Sequence, residues 1–305
     1  MCNEPSNELP PTSLIICSRN RPKLLVEAVA SILQGEQVPT ELLVIDQSDA
    51  PHATLCTMTR VRTCTVRYVW TQSVGLSRAN NLGIALAQYE ILVFTHDDIL
   101  IAPNWFGALV RALVQAGVRS VVTGQVRPTA GQQAGDFQLA IKVDPKPAQY
   151  AGRIWEDVIY PLNLALYRSA LTEVGGFDER IGPGTPFPGA EDNDIGFRLL
   201  EAGYEILYVP EAVLYHCAWR PARDYVPLHW SYGRGQGAYY AKHLSLRDRY
   251  MLRRLVNSMK KHAALSLGKI WSDRREGYGE AAYALGMLSG ALQWTINYGR
   301  YVEQR

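Results

Sequence analysis

Tyr89-Glu-Ile-Leu-Val-Phe-Thr-His-Asp-Asp98 carries an apolar run, Ile91 to Phe94, that ends in two adjacent carboxylates, Asp97 and Asp98. A short run of β-forming residues bounded by polar ones reads as a buried strand. In open α/β sheets, ligands bind in the crevice outside the carboxyl ends of the strands, where this acidic pair would lie. Side by side, two carboxylates repel each other unless a cation stands between or beside them. Hard divalent ions take one or two protein carboxylates and fill their remaining positions with water and substrate phosphates. An acidic turn and a cation site both stand open at this point, and the neighbouring segments have to decide between them.

Upstream, Leu14-Ile-Ile-Cys17 predicts a first strand, followed by the polar loop Ser18-Arg-Asn-Arg-Pro22. Pro22 suits the first turn of a helix, and Leu24, Leu25, Ala28, Val29, Ile32 and Leu33 have helical spacing. Glu41-Leu-Leu-Val-Ile-Asp46 reads as a second strand that again ends in an acid, and Val66 to Trp70 as a third. Gly75-Leu-Ser-Arg-Ala-Asn-Asn-Leu-Gly83 opens a helix that leads into the fourth, the stretch quoted first. Strands and helices alternating at this spacing predict an open α/β sheet. No Gly-x-Gly-x-x-Gly follows the first strand, and Walker and Gly-x-Ser-x-Gly motifs are absent, so dinucleotide-binding, P-loop and serine-hydrolase readings lose their main support.

Downstream, Asn104 to Ala116 predicts a helix and Ser120-Val-Val-Thr-Gly124 a strand. Residues 127–153 lack periodicity and read as a loop, with an active-site lid as its functional interpretation. Asn163 to Tyr167 reads as a strand, Ser169 to Val174 as a helix, and 182–190 as a Pro/Gly-rich loop. That loop ends in Glu191-Asp-Asn-Asp194, just before the helical run Ile195 to Ala202; acids there also serve as ordinary helix caps. Tyr204 to Pro210 and Ala212 to His216 read as two strands joined by a turn at Pro210-Glu211.

Composition narrows the class further. A chain of 305 residues with 47% hydrophobic and 20% charged content is ordinary for a folded protein and holds one large domain or two smaller ones. A net charge of +2 gives no bulk attraction to nucleic acid. The five cysteines are scattered without a Cys-x-x-Cys pair, which argues against a disulfide framework or zinc site and for a reducing cytoplasm. Residues 1–11 are polar with three prolines and read as a loose tail rather than a signal or anchor.

Taken in order, Ser-Arg-Asn-Arg-Pro after strand one, Asp46, Gly75-Leu-Ser…Asn81-Leu-Gly83, Phe94 to Asp98, Gly175-Gly-Phe-Asp178 and Gly189-Ala-Glu-Asp-Asn-Asp194 resemble a family 2 glycosyltransferase of GT-A fold. The resemblance spans 12–216, about two thirds of the chain. It implies a nucleotide-sugar-binding half over 12–125, an acceptor half over 126–225 and a helical C-terminal region over 226–305. It also implies an inverting, metal-dependent transfer from a nucleotide-diphosphate-sugar donor to an acceptor hydroxyl, with Mg2+ or Mn2+ as cofactor. Carried over by position, Ser18, Arg19, Asp46, Arg78 and Asp97 would contact the donor, and Asp98 with His216 would hold the metal. Glu191-Asp192 would match the acidic motif, with Asp192 as general base. The chain departs from the commonest pattern at His96, where an Asp is frequent, and at Asn80, where many relatives carry the arginine that faces the pyrophosphate.

Past His216 the resemblance fades. Residues 245–275 carry nine Lys/Arg against two Asp, interleaved with apolar residues, and Ala281 to Gly299 is uncharged yet too polar for a membrane span. Two readings stand: peripheral contact of 245–299 with an anionic membrane on its inner face, favouring a lipid-linked acceptor, or a helical cap on the catalytic domain. The rival functions are a sugar-phosphate nucleotidylyltransferase, which lacks its Gly-rich phosphate loop here, and a non-catalytic carbohydrate- or nucleotide-binding protein of the same fold.

Overall fold

The computed structural model describes residues 8–130, 136–245 and 247–299; the expected tail up to residue 7 and part of the 127–153 loop, 131–135, lie outside the described residues. The N-terminal half begins with β1 (Thr12–Ser18), α1 (Pro22–Gln34) and β2 (Glu41–Asp46), then β3 (Arg60–Val61), β4 (Cys64–Trp70), α2 (Leu76–Leu86) and β5 (Ile91–His96). β4, β2, β1 and β5 are parallel neighbours in that order, with Ser18 level with Asp46 and Cys17 level with His96. That register brings the loop after β1 beside the acids after β5. Every residue of β1 and β2 is buried, as expected for strands covered on both faces. Leu14 and Ile16 face one core, with α1 and α3 (Trp105–Ala116), while Ile15 and Cys17 face the other. This is the open α/β sheet that the strand pattern predicts.

The second half closes the sheet in a mixed way. β6 (Ile99–Ile101), β7 (Ser120–Pro128), β8 (Ala148–Tyr150), β9 (Leu164–Tyr167), α4 (Arg168–Val174), α5 (Glu191–Glu201) and β10 (Glu205–His216) follow in chain order. β9 runs antiparallel between β5 and β7; β10 is parallel to β7 and antiparallel to both β6 and β8. Three expectations are corrected. Residues 205–216 form one strand, not two: the chain crosses Pro210-Glu211 with a register shift between Val209 and Val213, a bulge that accommodates a proline unable to donate to the ladder. α5 starts at Glu191 rather than near Ile195, because Ala190 takes a left-handed conformation (φ 66°) that turns the chain directly into the helix. The 127–153 segment also holds more structure than a loop, since β8 inside it pairs with β10.

Asn163 locks the bulge in place. It is fully buried; its Oδ1 accepts from Trp105 Nε1 at 2.8 Å, and its Nδ2 donates to the carbonyls of Gln125 (3.0 Å) and Ala212 (2.9 Å). Among the described residues three α-helices follow, α6 (Tyr225–Lys242), α7 (Tyr250–Lys269) and α8 (Arg274–Tyr298), so the apolar run after Ala281 belongs to one long helix. α6 and α8 lie backbone against backbone: a Cβ on Gly233 or Gly237 would strike the carbonyls of Tyr283 and Met287, and one on Gly286 or Gly290 those of Trp230 and Arg234. No helix among the described residues is long and apolar enough to cross a membrane.

Replacing Asn163 by Ala would leave an indole N–H and two carbonyls unpaired in the core. Urea unfolding should show a loss of about 3 kcal/mol; a loss under about 0.5 kcal/mol would show that the bulge holds without it.

Candidate active site

The ends of β1 and β5, the 182–190 loop, the start of α5 and the end of β10 converge on one cleft of about 500 Å³. Its walls include Ser18, Arg19, Arg21, Asp97, Asp98, Glu191, Asp192 and His216, so most of the residues singled out in the sequence share one space. Asp46 and Arg78 do not line it. The Asp46 carboxylate turns to the Ser48 N–H (2.9 Å) and the Tyr68 hydroxyl (2.6 Å). Ser77 is one of the inward residues of α2, donating to the Ile181 carbonyl, and its neighbour Arg78 points outward to Glu179 at 3.3 Å. Asn80 is buried and accepts from the Cys17 thiol.

The cation demanded by the Asp97-Asp98 pair is present in the chain itself. Arg21 Nη1 donates to Asp97 Oδ1 at 3.2 Å and to Asp98 Oδ2 at 2.8 Å, and Ser18 Oγ donates to Asp97 Oδ2 at 2.7 Å. Burial and the neighbouring Asp98 charge push Asp97 up to about 6. Asp98 is opposed by the same burial, yet His216, His96 and Arg21 hold it well below the usual carboxylate range. Burial lowers His96 to about 4, so its ring is neutral near pH 7. One aspartate of the pair is thus firmly ionised and the other readily protonated, as adjacent carboxylates in a low dielectric demand.

Asp98 Oδ1 is buried without a hydrogen-bond partner and faces His216 Nε2 at 3.5 Å. On its other side the His216 ring meets the Leu139 carbonyl, with Nδ1 at 3.2 Å. A carbonyl only accepts, so Nδ1 carries a proton, and Nε2 is the ring nitrogen on the Asp98 side. A carboxylate oxygen and an imidazole nitrogen fit Mn2+ or Mg2+ as two protein ligands, leaving the other positions to water and phosphate oxygens. Among the described residues no group of three or more ligating side chains gathers, so any ion held there depends on substrate to complete its shell.

The other side of the chemistry lies at the N-terminus of α5. Glu191 Oε2 is buried and has no hydrogen-bond partner, while Asp192 Oδ1 accepts from the Asn193 N–H at 2.8 Å. Burial raises both carboxyls, and the charge of Asp192 raises Glu191 further. Carboxyls with raised affinity for a proton in a cleft are what proton transfer near neutral pH requires. The sequence reading missed the contribution of the C-terminal helices. Leu228, Tyr232 and Gln236 of α6 and Tyr283 of α8 line the cleft, and Gln236 links Asn193 (2.7 Å) to Asp157 (3.0 Å). Trp219 points away, its indole donating to Thr129, whereas Arg220 stays on the wall.

Behind α5, Asp194 is fully buried among cations. It accepts from Arg198 (2.8 Å), Lys242 (2.6 Å) and His243 (2.7 Å), and Lys242 also reaches Asp178 at 2.7 Å. This network clamps α5 to the end of α6 and thereby fixes the turn that presents Glu191 and Asp192.

The sequence model of glycosyl transferase family 2 matches residues 13–173, more than half of the chain, and the chain belongs to that family. It is 27% identical over 168 residues to a pre-mycofactocin glycosyltransferase of Mycobacterium tuberculosis, covering 53% of this chain and 34% of the relative. Over 62 residues it is 48% identical to the N-acetylglucosaminyl-diphospho-decaprenol L-rhamnosyltransferase of the same organism, 20% of this chain and 19% of that one. The chain therefore spans about a third or less of these relatives. Among solved structures it resembles a mannosyltransferase from Pyrobaculum calidifontis in complex with GDP-Man and Mn2+ (TM-score 0.64, 17% identity, 93% of this chain and 88% of that one). GalNAc-T7 with UDP, GalNAc and Mn2+ is similar at TM-score 0.59 and 17% identity, over 96% of this chain and 58% of that one. The fold is the GT-A arrangement.

Arg21 lays positive charge across the acid pair, and Arg21→Met removes that charge while keeping the stem. Mn2+ should then raise the melting temperature more in the variant than in the wild type, as read by scanning fluorimetry. An equal or smaller rise would show that Arg21 does not screen these carboxylates.

Proposed function

We propose that the protein transfers a sugar from a nucleotide-diphosphate donor to an acceptor hydroxyl with inversion, using Asp192 as general base. The observation that carries this reading is the opening of Glu191-Asp192 and Asp97-Asp98 into one cleft, with buried carboxyls raised at the first pair. The acceptor oxygen attacks the anomeric carbon as the Asp192 carboxylate takes its proton. The bond from that carbon to the phosphate oxygen breaks, and the nucleoside diphosphate leaves with the bonding pair. Asp98 and His216 would hold Mg2+ or Mn2+, which when bound supplies positive charge to the departing diphosphate. Arg21, Arg19 and Arg220 on the same wall add fixed positive charge for those phosphates, and Ser18 positions Asp97.

In this reading 12–225 is the catalytic domain and 226–305 a helical region that completes the cleft through Tyr232, Gln236 and Tyr283. The two mycobacterial relatives, one named for a decaprenol-linked substrate, support glycan or lipid-linked acceptors and a place in cell-surface polysaccharide or glycolipid synthesis. Solved neighbours that carry Mn2+ with GDP-Man or UDP support the donor and cofactor classes.

Asp192→Asn should lower turnover about a thousandfold while leaving donor affinity within about twofold, measured as nucleoside diphosphate release and by calorimetry. Turnover at the wild-type level would sink the base assignment. Pyrophosphate formation from a sugar phosphate and a nucleoside triphosphate would instead establish the nucleotidylyltransferase alternative. Since the base must be ionised and burial raises its proton affinity, activity should climb with pH through the neutral range, with an apparent pKa well above the carboxylate norm of about 4. A profile already flat from pH 5 upward would contradict the raised carboxyl. Chelation with EDTA should suppress turnover and Mn2+ restore it; full activity in EDTA would assign the diphosphate to the arginines alone.

A further inference from the structure

α7 and α8 form an antiparallel pair: His262 meets Glu280, Lys269 meets Glu276 and Ser258 reaches Met287. Their inner sides are occupied, with Met251, Leu255, Met287 and Trp294 in the helical core. The opposite side of α8 carries Leu285, Leu288, Leu292 and Ile296, spaced three to four residues apart and 48 to 72% exposed. Nothing charged interrupts them between Ala281 and Gly299. The outward stripe of α7 continues the pattern with Leu252, Val256 and Leu267 around Lys260. Trp271, in the turn that joins the helices, is 88% exposed.

Exposed large apolar side chains in a continuous stripe mark an interaction surface. The charge around it selects the partner. Arg249, Arg253, Lys260, Lys261 and Arg274 are exposed on this pair or beside it. The acids of the same span each have a partner: Asp248 pairs with Arg153, Glu276 with Lys269 and Glu280 with His262, and Asp273 caps α8 by accepting from the Glu276 N–H. A second copy docking through the same face would set these bases against one another. Apolar stripes flanked by Lys/Arg, with an outward tryptophan at one end, match the interface between the headgroups and acyl chains of an anionic lipid layer.

We infer that the outer face of the α7–α8 pair docks on an anionic lipid surface, burying the Leu285–Ile296 stripe and Trp271 at headgroup level. The docking stands on this face alone and does not depend on the transferase reading. One consequence joins the two: Arg254, on the inner side of α7, bonds Asp157 on the cleft wall at 2.8 Å, so the lipid surface lies one helix from the cleft. An acceptor carried in the membrane would then be presented beside the carboxyls of α5.

Flotation of the full chain with vesicles of phosphatidylcholine and phosphatidylglycerol, against phosphatidylcholine alone, tests it. The wild type should float with the anionic vesicles at low salt and at least tenfold less in 0.5 M NaCl. Leu288→Asp/Leu292→Asp should abolish flotation, and Arg253→Glu/Lys260→Glu should reduce it at least fivefold, with melting temperatures held close to wild type. Absence of flotation with either vesicle, flotation equal across the wild type and both variants, or a dimer in light scattering that the leucine variant dissolves would overturn the inference. Nucleoside diphosphate release toward a water-soluble acceptor should stay unchanged in both variants, so a failure of docking is separable from a failure of the transferase assignment.

Discussion

Two carboxylates adjacent in sequence at the end of a buried strand cannot both stay ionised without positive charge beside them. The N-terminal half of this protein is built around that constraint. The parallel pairing of β1 with β5 brings the loop after β1 alongside Asp97 and Asp98, and Arg21, capping α1, lays its guanidinium across both. His216 arrives from the end of β10, a strand kept in register by the Asn163-supported bulge. Attraction to these carboxylates therefore comes from two separate places, the loop between β1 and α1 and the end of β10, and their side chains line the same space. A phosphate-bearing ligand that entered would meet arginines and a firmly ionised Asp98.

The second half depends on a different electrostatic arrangement. Asp194, two residues beyond Asp192, is the strongly ionised member of the α5 acids: burial opposes its charge, but His243, Lys242 and Arg198 overcome that penalty. Among the described residues no such cations are set against Glu191 and Asp192, which stay raised. Within four residues one helix start thus carries a structural anion that anchors it and a pair of proton-avid carboxyls that face the cleft. The glycine-lined approach of α6 to α8 is what lets Tyr232, Gln236 and Tyr283 reach that pair from the far side.

Much of this arrangement was legible in the sequence because it is local. Apolar runs ending in acids mark strand ends, and Glu191-Asp192 before a helical run marks an acidic helix start. What was not legible depends on register and direction. Arg21 is a routine loop arginine until β1 is paired with β5. Arg78 reads as a site residue until α2 turns Ser77 inward and Arg78 outward to Glu179. Pro210-Glu211 reads as a turn by composition, yet β7 and β10 absorb it as a bulge. The helices after Tyr225 carry apolar and glycine patterns that say only that they pack, and their share of the cleft follows from tertiary contacts between residues far apart in the chain.

Anomalous diffraction from crystals soaked with Mn2+ and a nucleoside diphosphate addresses the central assignment most directly. A manganese peak between Asp98 and His216, with diphosphate oxygens completing the shell and Arg21 drawn from the acids toward the phosphates, is the outcome this account predicts. Diphosphate bound away from Asp97 and Asp98, with Arg21 still across both carboxylates, would contradict it.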